Sequence, residues 1–118
     1  MNLTYTKVEN SSRKNYYRVD VDFEHGDADA TTTEKINLNS EQELIDFLEG
    51  YEKYADVLES CLSSGRKLPN DIRDLGEKLG IVVYDVVYDG SGNLAYPSVQ
   101  KITYFDENGV EHKVNYTK

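Results

Sequence analysis

The chain has 118 residues, of which 38% are hydrophobic and 30% charged, and 22 acidic against 13 basic residues give a net charge of −9 at pH 7. This length suits one domain with a single core, and the composition is that of a folded globular protein rather than a disordered one. Such a charge excludes a nucleic-acid-binding surface, and no stretch resembles a membrane span or a signal peptide, so we expect a cytoplasmic protein.

Cysteine and histidine are too scarce for metal or disulfide chemistry. Cys61 is the one cysteine of the chain, and only His25 and His112 accompany it. We therefore expect no disulfide, no metal and no cofactor, with Cys61 a buried and inert thiol. No nucleophilic motif adjoins either histidine. We expect His112 to be partly buried and hydrogen-bonded, and His25 to mark the end of a strand.

Three strands are predicted before the first helix. Residues 2–9 form a weak strand suited to a sheet edge, residues 15–25 alternate regularly between apolar and charged side chains, and residues 30–38 are rich in threonine. The apolar face of the second strand carries Tyr17, Val19, Val21 and Phe23. We expect the three strands to pair in chain order as an antiparallel meander.

The longest predicted element is a helix from Ser40 to Ser64. Ser40 and Glu43 have the spacing of a capping box, and Gly65 is placed to end the helix in the left-handed conformation. Apolar residues recur at steps of three and four, which predicts one buried stripe. The stripe comprises Leu44, Leu48, Tyr51, Ala55, Leu58 and Leu62, flanked by Phe47, Tyr54 and Cys61.

A second, shorter helix is predicted after a polar turn. Pro69 suits its first turn, Asn70 or Asp71 can cap it, and Gly80 is expected to end it. Gly76 is expected to weaken it, because glycine is a poor helix former. Its expected buried face carries Ile72, Leu75 and Leu79.

Strands are predicted again in the last third of the chain. Residues 81–88 are almost continuously apolar, which predicts a central and well-covered strand. Pro97 places its own stretch at a sheet edge or in irregular structure, because proline cannot donate to a strand ladder. Residues 99–105 and 110–117 are predicted to form a hairpin that turns at Gly109.

The order of these elements predicts the fold class. Strands and helices are segregated along the chain rather than alternating, which is typical of an α+β fold. We expect one domain over residues 1–118, in which an antiparallel β-sheet of about five to seven strands, in the order β-β-β-α-α-β-β-β, packs against two helices on one face.

Acidic residues are concentrated in one part of the chain. Between Asp20 and Glu59 there are 13 acids and two bases, a net charge of −11, so the remainder is slightly basic. The first acids form a row on and after the second strand: Asp20, Asp22, Glu24, Asp27 and Asp29. A calcium loop needs glycine at its sixth position and glutamate at its twelfth, and the row provides neither in the registers that begin at Asp20 or Asp27.

The long helix continues this acidity along one side. Glu49, Glu52, Asp56 and Glu59 fall on one flank of the apolar stripe, together with Glu41. Lys53 is the only base placed to answer any of them at helical spacing, although such pairs normally stabilise a helix. The flank is therefore expected to carry an uncompensated negative charge.

These observations favour a non-catalytic binding protein that docks on a basic, nucleic-acid-handling protein and neutralises it, as a toxin-immunity protein or a phage inhibitor of host defence does. Arrayed carboxylates imitate the field of a phosphate backbone and steer a basic partner. The residues expected to bind the partner are Asp20, Asp22, Glu24, Asp27, Asp29, Glu49, Glu52, Asp56 and Glu59.

Three other interpretations compete with this hypothesis. The acidity can serve solubility alone. A small enzyme or ligand-binding domain that uses carboxylates with tyrosine or histidine requires a concave pocket holding a group of displaced pKa. A structural or assembly subunit requires a self-complementary apolar patch. The sequence leaves the partner and the oligomeric state open.

Overall fold

A computed structural model describes residues 2–7, 15–25, 30–82, 84–86 and 92–117. Its elements are β1 (Asn2–Thr4), β2 (Tyr16–His25), β3 (Ala30–Leu38), α1 (Glu41–Ser64), α2 (Asn70–Leu79), β4 (Tyr84–Val86), β5 (Gly92–Leu94), β6 (Tyr96–Phe105) and β7 (Glu111–Thr117). Five strands form one antiparallel sheet in the order β1-β7-β6-β2-β3, and both helices pack on one face of it. The predicted α+β fold is confirmed.

The order of strands corrects the predicted meander. The first strand pairs with β7 at the opposite end of the chain, and β6 lies between β7 and β2. Alternation identifies a strand but does not select its neighbour. The central position beside β2 goes to the ten-residue β6, whereas the three-residue β1 occupies an edge, as its weak pattern predicted.

The predicted boundaries of α1 are confirmed, and one of its buried residues is not. The Ser40 hydroxyl accepts the Glu43 N–H at 3.1 Å, and the Glu43 carboxylate accepts the Asn39 N–H at 2.7 Å. The helix ends at Gly65, whose φ is 68°. Leu62 was predicted to be buried but is 57% exposed, because the buried residues of α1 end at Cys61 and the last turn extends past the core.

The second helix packs against α1 through a glycine. It begins at Asn70, and the N-cap is Pro69 without a side-chain hydrogen bond, so the predicted capping by Asn70 or Asp71 is wrong. Pro69 has an extended ψ of 146° and lies just before the helix rather than in its first turn. Gly76 is buried and would place a Cβ only 2.5 Å from the Tyr54 ring, so its role is close packing.

The predicted central strand over residues 81–88 is wrong for residues 81, 82 and 84–86, while residues 83, 87 and 88 lie outside the described residues. The Ile81 N–H donates to the Gly76 carbonyl at 3.0 Å, so the chain is still completing the end of α2 at this point. Ile81 is fully buried and belongs to the core cluster without a place in the large sheet. Residues 84–86 instead pair with residues 92–94 as a separate two-stranded sheet.

The hairpin between β6 and β7 forms as predicted. Gly109 has φ 77° and donates its N–H to the Asp106 carbonyl at 2.9 Å. The Asp106 carboxylate accepts the N–H groups of Asn108 and Val110 and lies 2.8 Å from His112 Nε2. The expectation of a partly buried, hydrogen-bonded His112 is confirmed.

These donors hold the pKa of Asp106 below its ordinary value of 3.8, with His112 the largest cause. A carboxyl with a lowered folded-state pKa contributes stability above its ordinary pKa, and that contribution is lost as the pH falls through the lowered value. We therefore expect Asp106→Asn to reduce the thermal midpoint at neutral pH and to make it fall less steeply than that of the wild type between about pH 5 and pH 2. Parallel melting curves across this range would contradict the assignment.

Tyr51 joins α1 to the first half of β6, the half that β7 does not pair with. Strand β7 pairs with β6 from Ile102 to Phe105, so around Pro97 the one strand of the described residues that pairs with β6 is β2. The expected edge position of Pro97 is thus confirmed. The Tyr51 hydroxyl donates to the Pro97 carbonyl at 3.4 Å and accepts the Val99 N–H at 3.3 Å, which fixes this side of α1 over the open edge.

Candidate functional site

The acidic row on β2 lies on the sheet face turned away from the helices. Val19, Val21 and Phe23 have no exposed surface and belong to the core cluster with the buried residues of α1. Because side chains alternate along a strand, Asp20 and Asp22 project from the opposite face. Asp20 and Asp22 therefore lie on the opposite side of the sheet from α1.

Basic residues of neighbouring strands balance this outer face. Asp20 is directly paired with Lys35 on one side and Lys101 on the other, and Asp22 accepts the Thr33 hydroxyl at 2.6 Å. Among the described residues, the register places Arg18, Lys35, Lys101 and Lys113 on this face with Asp20, Asp22, Glu24 and Glu111. Asp27 and Asp29, also predicted as site residues, lie outside the described residues.

The helices, in contrast, carry a strong excess of acid. Residues Glu41–Ser64 and Asn70–Leu79 contain ten acids and three bases, a net charge of −7. Seven of these acids are on α1, where Lys53 is the one base. The negative charge of the molecule is therefore concentrated on its helical side.

One side of α1 brings its acids against tyrosines of the sheet. Glu49, Asp56 and Glu59 are exposed and Glu52 is half-buried. Burial raises the pKa of Tyr116 to about 12, with the charge of Glu52 a further cause. This side of α1 therefore runs above the half of the sheet that contains β7 and the open edge of β6.

Tyr96 is where the strand row meets the helix. Burial raises its pKa, and the negative charges of Glu59, Asp56 and Glu24 raise it further. Glu24 is exposed and directly paired with Tyr96 across the strands. We define the acidic ridge as Glu24, Glu49, Glu52, Asp56 and Glu59. Glu24, Asp56 and Glu59 thus all act on Tyr96, whereas Asp20 and Asp22 lie on the outer face beside lysines.

Three carboxylates of the acidic ridge have no ion-pair partner among the described residues. No lysine or arginine described by the structure lies within 4.0 Å of Glu49, Glu52 or Glu59. The buried Oε1 atom of Glu52 also has no hydrogen-bond partner among the described residues. Unpaired like charges on a helix are destabilising, so the fold gains nothing from this arrangement.

Sequence reasoning missed a cluster at the start of α1. The Tyr5 hydroxyl lies 3.0 Å from the Tyr17 hydroxyl and donates to Glu41 at 2.8 Å, and Lys7 pairs with Glu41 at 3.1 Å. The hydrogen bond from Tyr5 and then that from Lys7 lower the pKa of Glu41. No local signal could have revealed this cluster, because it depends on the pairing of β1 with β7.

A concave groove lies on the other side of α1. It is a groove of about 560 Å³ between β3, α1 and α2, lined by Ile36, Leu38, Glu43, Asp46, Phe47, Leu75, Lys78 and Leu79. Glu41 and Asp106 lie outside this groove, and both have a lowered pKa, which disfavours proton donation.

Comparisons with protein-family models, with curated proteins and with solved structures found no match to this chain. No group of three or more histidine, cysteine, aspartate or glutamate side chains in the described residues could hold a metal ion. Within those residues no helix has both the length and the apolarity to cross a bilayer.

Proposed function

We propose that this protein is a non-catalytic binding protein whose acidic ridge docks on a basic partner protein and blocks it. The observation that carries the proposal is the side of α1 where Glu49, Glu52 and Glu59 have no basic partner among the described residues. A lysine three or four residues away from one of these glutamates would have stabilised the helix. A basic partner would supply the missing charges.

The chemistry of the ridge favours a partner that handles nucleic acid. Carboxylates fixed along a rigid helix imitate the negative field of a phosphate backbone, so they compete for the same basic surface. The half-buried tyrosines Tyr51, Tyr96 and Tyr116 flank the ridge and would supply the aromatic contacts that strengthen protein interfaces. A toxin-immunity protein and a phage inhibitor of host defence are two biological forms of this function, and the proposed compartment is the cytoplasm.

Capture of a partner from the native host tests the proposal. The immobilised wild-type protein is expected to retain a basic protein at low salt and to release most of it at about 0.5 M salt, where charges are screened within a few ångströms. The variant Glu24→Lys, Glu49→Lys, Glu59→Lys is expected to lose the captured protein. The matched control Asp74→Lys, Glu77→Lys, Glu111→Lys changes three exposed acids away from the ridge and is expected to keep it. Equal capture by both variants would refute the proposed site.

A further inference from the structure

Strand β3 has a long and regular outer edge in the described part of the chain. Its nine residues pair with β2 in unbroken register, from Tyr17 with Leu38 to His25 with Ala30. The other edge of β3 pairs with no strand among the described residues. Natural proteins usually protect such edges with proline, bulges or very short strands. Strand β3 has no proline or bulge, and the opposite edge of the sheet, β1, is only three residues long.

The groove described above adjoins this edge on the helix side of the sheet. Leu38 and Ile36 are directly paired with the buried Tyr17 and Val19, so they face the helices. A strand added beside β3 would lie about 4.8 Å away, and its alternate side chains would point to the same side. Two of them would enter the groove against Phe47, Leu75 and Leu79.

The charges around the groove select the kind of segment that fits. Glu43 and Asp46 line it and outnumber Lys78. Glu34 is exposed and is directly paired with the buried Val21, so it points to the helix side two residues before Ile36. An inward-pointing charge at an edge discourages pairing with an apolar strand but favours a basic residue opposite it. A second copy of this chain, itself at −9, is repelled.

We propose that the edge of β3 and the adjoining groove bind an extended, basic segment of a partner protein. The segment pairs with β3 and becomes the sixth strand of the large sheet. On the helix side the segment presents a lysine or arginine to Glu34 and two apolar residues to the groove. Backbone hydrogen bonds to β3 supply affinity, and the groove and its carboxylates supply specificity. This surface lies across α1 from the acidic ridge and does not depend on it.

The test uses two synthetic nine-residue peptides and the isotope-labelled full chain. The basic peptide has lysine, isoleucine and leucine at alternate positions with threonine between them, and its counterpart has glutamate in place of lysine. We expect the basic peptide to shift the amide signals of residues 31–37 and to bind about ten-fold tighter than its counterpart. Asp46→Lys should weaken binding by about five-fold or more, whereas the matched charge change Glu111→Lys, on the outer sheet face, should have less than about a two-fold effect.

Other outcomes would overturn the inference. These are equal binding of the two peptides, no binding at millimolar peptide, and shifts confined to residues 49–59 and 96. Shifts of residues 31–37 that depend on protein concentration without peptide would assign the edge to a second copy of the chain. The Glu24→Lys, Glu49→Lys, Glu59→Lys variant is expected to retain the peptide-induced shifts at β3. A failure of peptide binding at β3 can therefore be distinguished from a failure of partner binding at the acidic ridge.

Discussion

Replacing Gly76 by alanine is expected to destabilise the protein by about 2 kcal/mol, although alanine is the better helix former by about 1 kcal/mol. The added Cβ would lie 2.5 Å from Tyr54 Cε2 and 2.6 Å from Val82 Cγ2. Tyr54 is fully buried in the core and has no room to yield, so α2 must move away from α1. Urea unfolding followed by helical circular dichroism measures the loss.

Gly50→Ala is the matched control, because Gly50 is a helical glycine at the same helix contact. There the added Cβ would approach the end of a flexible side chain, Leu79 Cδ1, at 2.9 Å. We expect stability to be unchanged or raised by up to about 1 kcal/mol. If Gly76→Ala were as stable as the wild type, α2 would not be packed on Tyr54 as described.

Reversing the charge of the acidic ridge is expected to slow association with the captured partner by about ten-fold or more at low salt, because long-range attraction raises association rates by 10-fold to 1,000-fold. The Glu24→Lys, Glu49→Lys, Glu59→Lys variant should also show a flatter dependence of the association rate on ionic strength. Stopped-flow mixing over a range of salt concentrations measures both quantities.

The control variant Asp74→Lys, Glu77→Lys, Glu111→Lys separates the effect of where the charges lie from the effect of the total charge. Both variants change the net charge equally, and all three control residues are exposed. We expect the control to associate at a rate within about three-fold of the wild type at about 0.15 M salt, where charges beyond about 8 Å are largely screened. Equal slowing in the two variants would mean that only total charge matters.

Features with local causes were predicted from the sequence. Ser40, Glu43 and Gly65 fix the ends of α1 through hydrogen bonds within four residues, and the hairpin at Gly109 is equally local. The burial of Cys61 followed from helical spacing. The caps and the turn depend on residues a few positions apart, and helical spacing follows from local geometry, so the local sequence carries their signal.

Features with distant causes were not predicted. The pairing of β1 with β7 joins residues more than a hundred positions apart. Ile81 belongs to the core just after α2 and not to the large sheet, and periodicity alone does not distinguish the two places. Leu62 continues the stripe of α1 in sequence, but the core has ended before it.

The candidate site shows the same division. The acidic side of α1 follows from helical spacing, so Glu49, Asp56 and Glu59 were expected to be exposed together and are. The shared influence of Asp56, Glu59 and Glu24 on Tyr96 depends on the register between β2 and β6, which pairs Glu24 with Tyr96. That register also places Lys101 beside Asp20, and the pairing of β2 with β3 places Lys35 there. Two lysines distant in sequence therefore lie directly opposite Asp20 on the neighbouring strands.

Zero-length cross-linking tests the central claim most directly, because a carbodiimide joins a carboxylate only to an amine that touches it. Treated in complex with its captured partner and analysed by mass spectrometry, the protein is expected to be linked to partner lysines through Glu49, Glu52, Asp56, Glu59 or Glu24. Links found instead through Asp74, Glu77 or Glu111, with none through these five, would show that the partner docks elsewhere and that the acidic ridge is not the binding site.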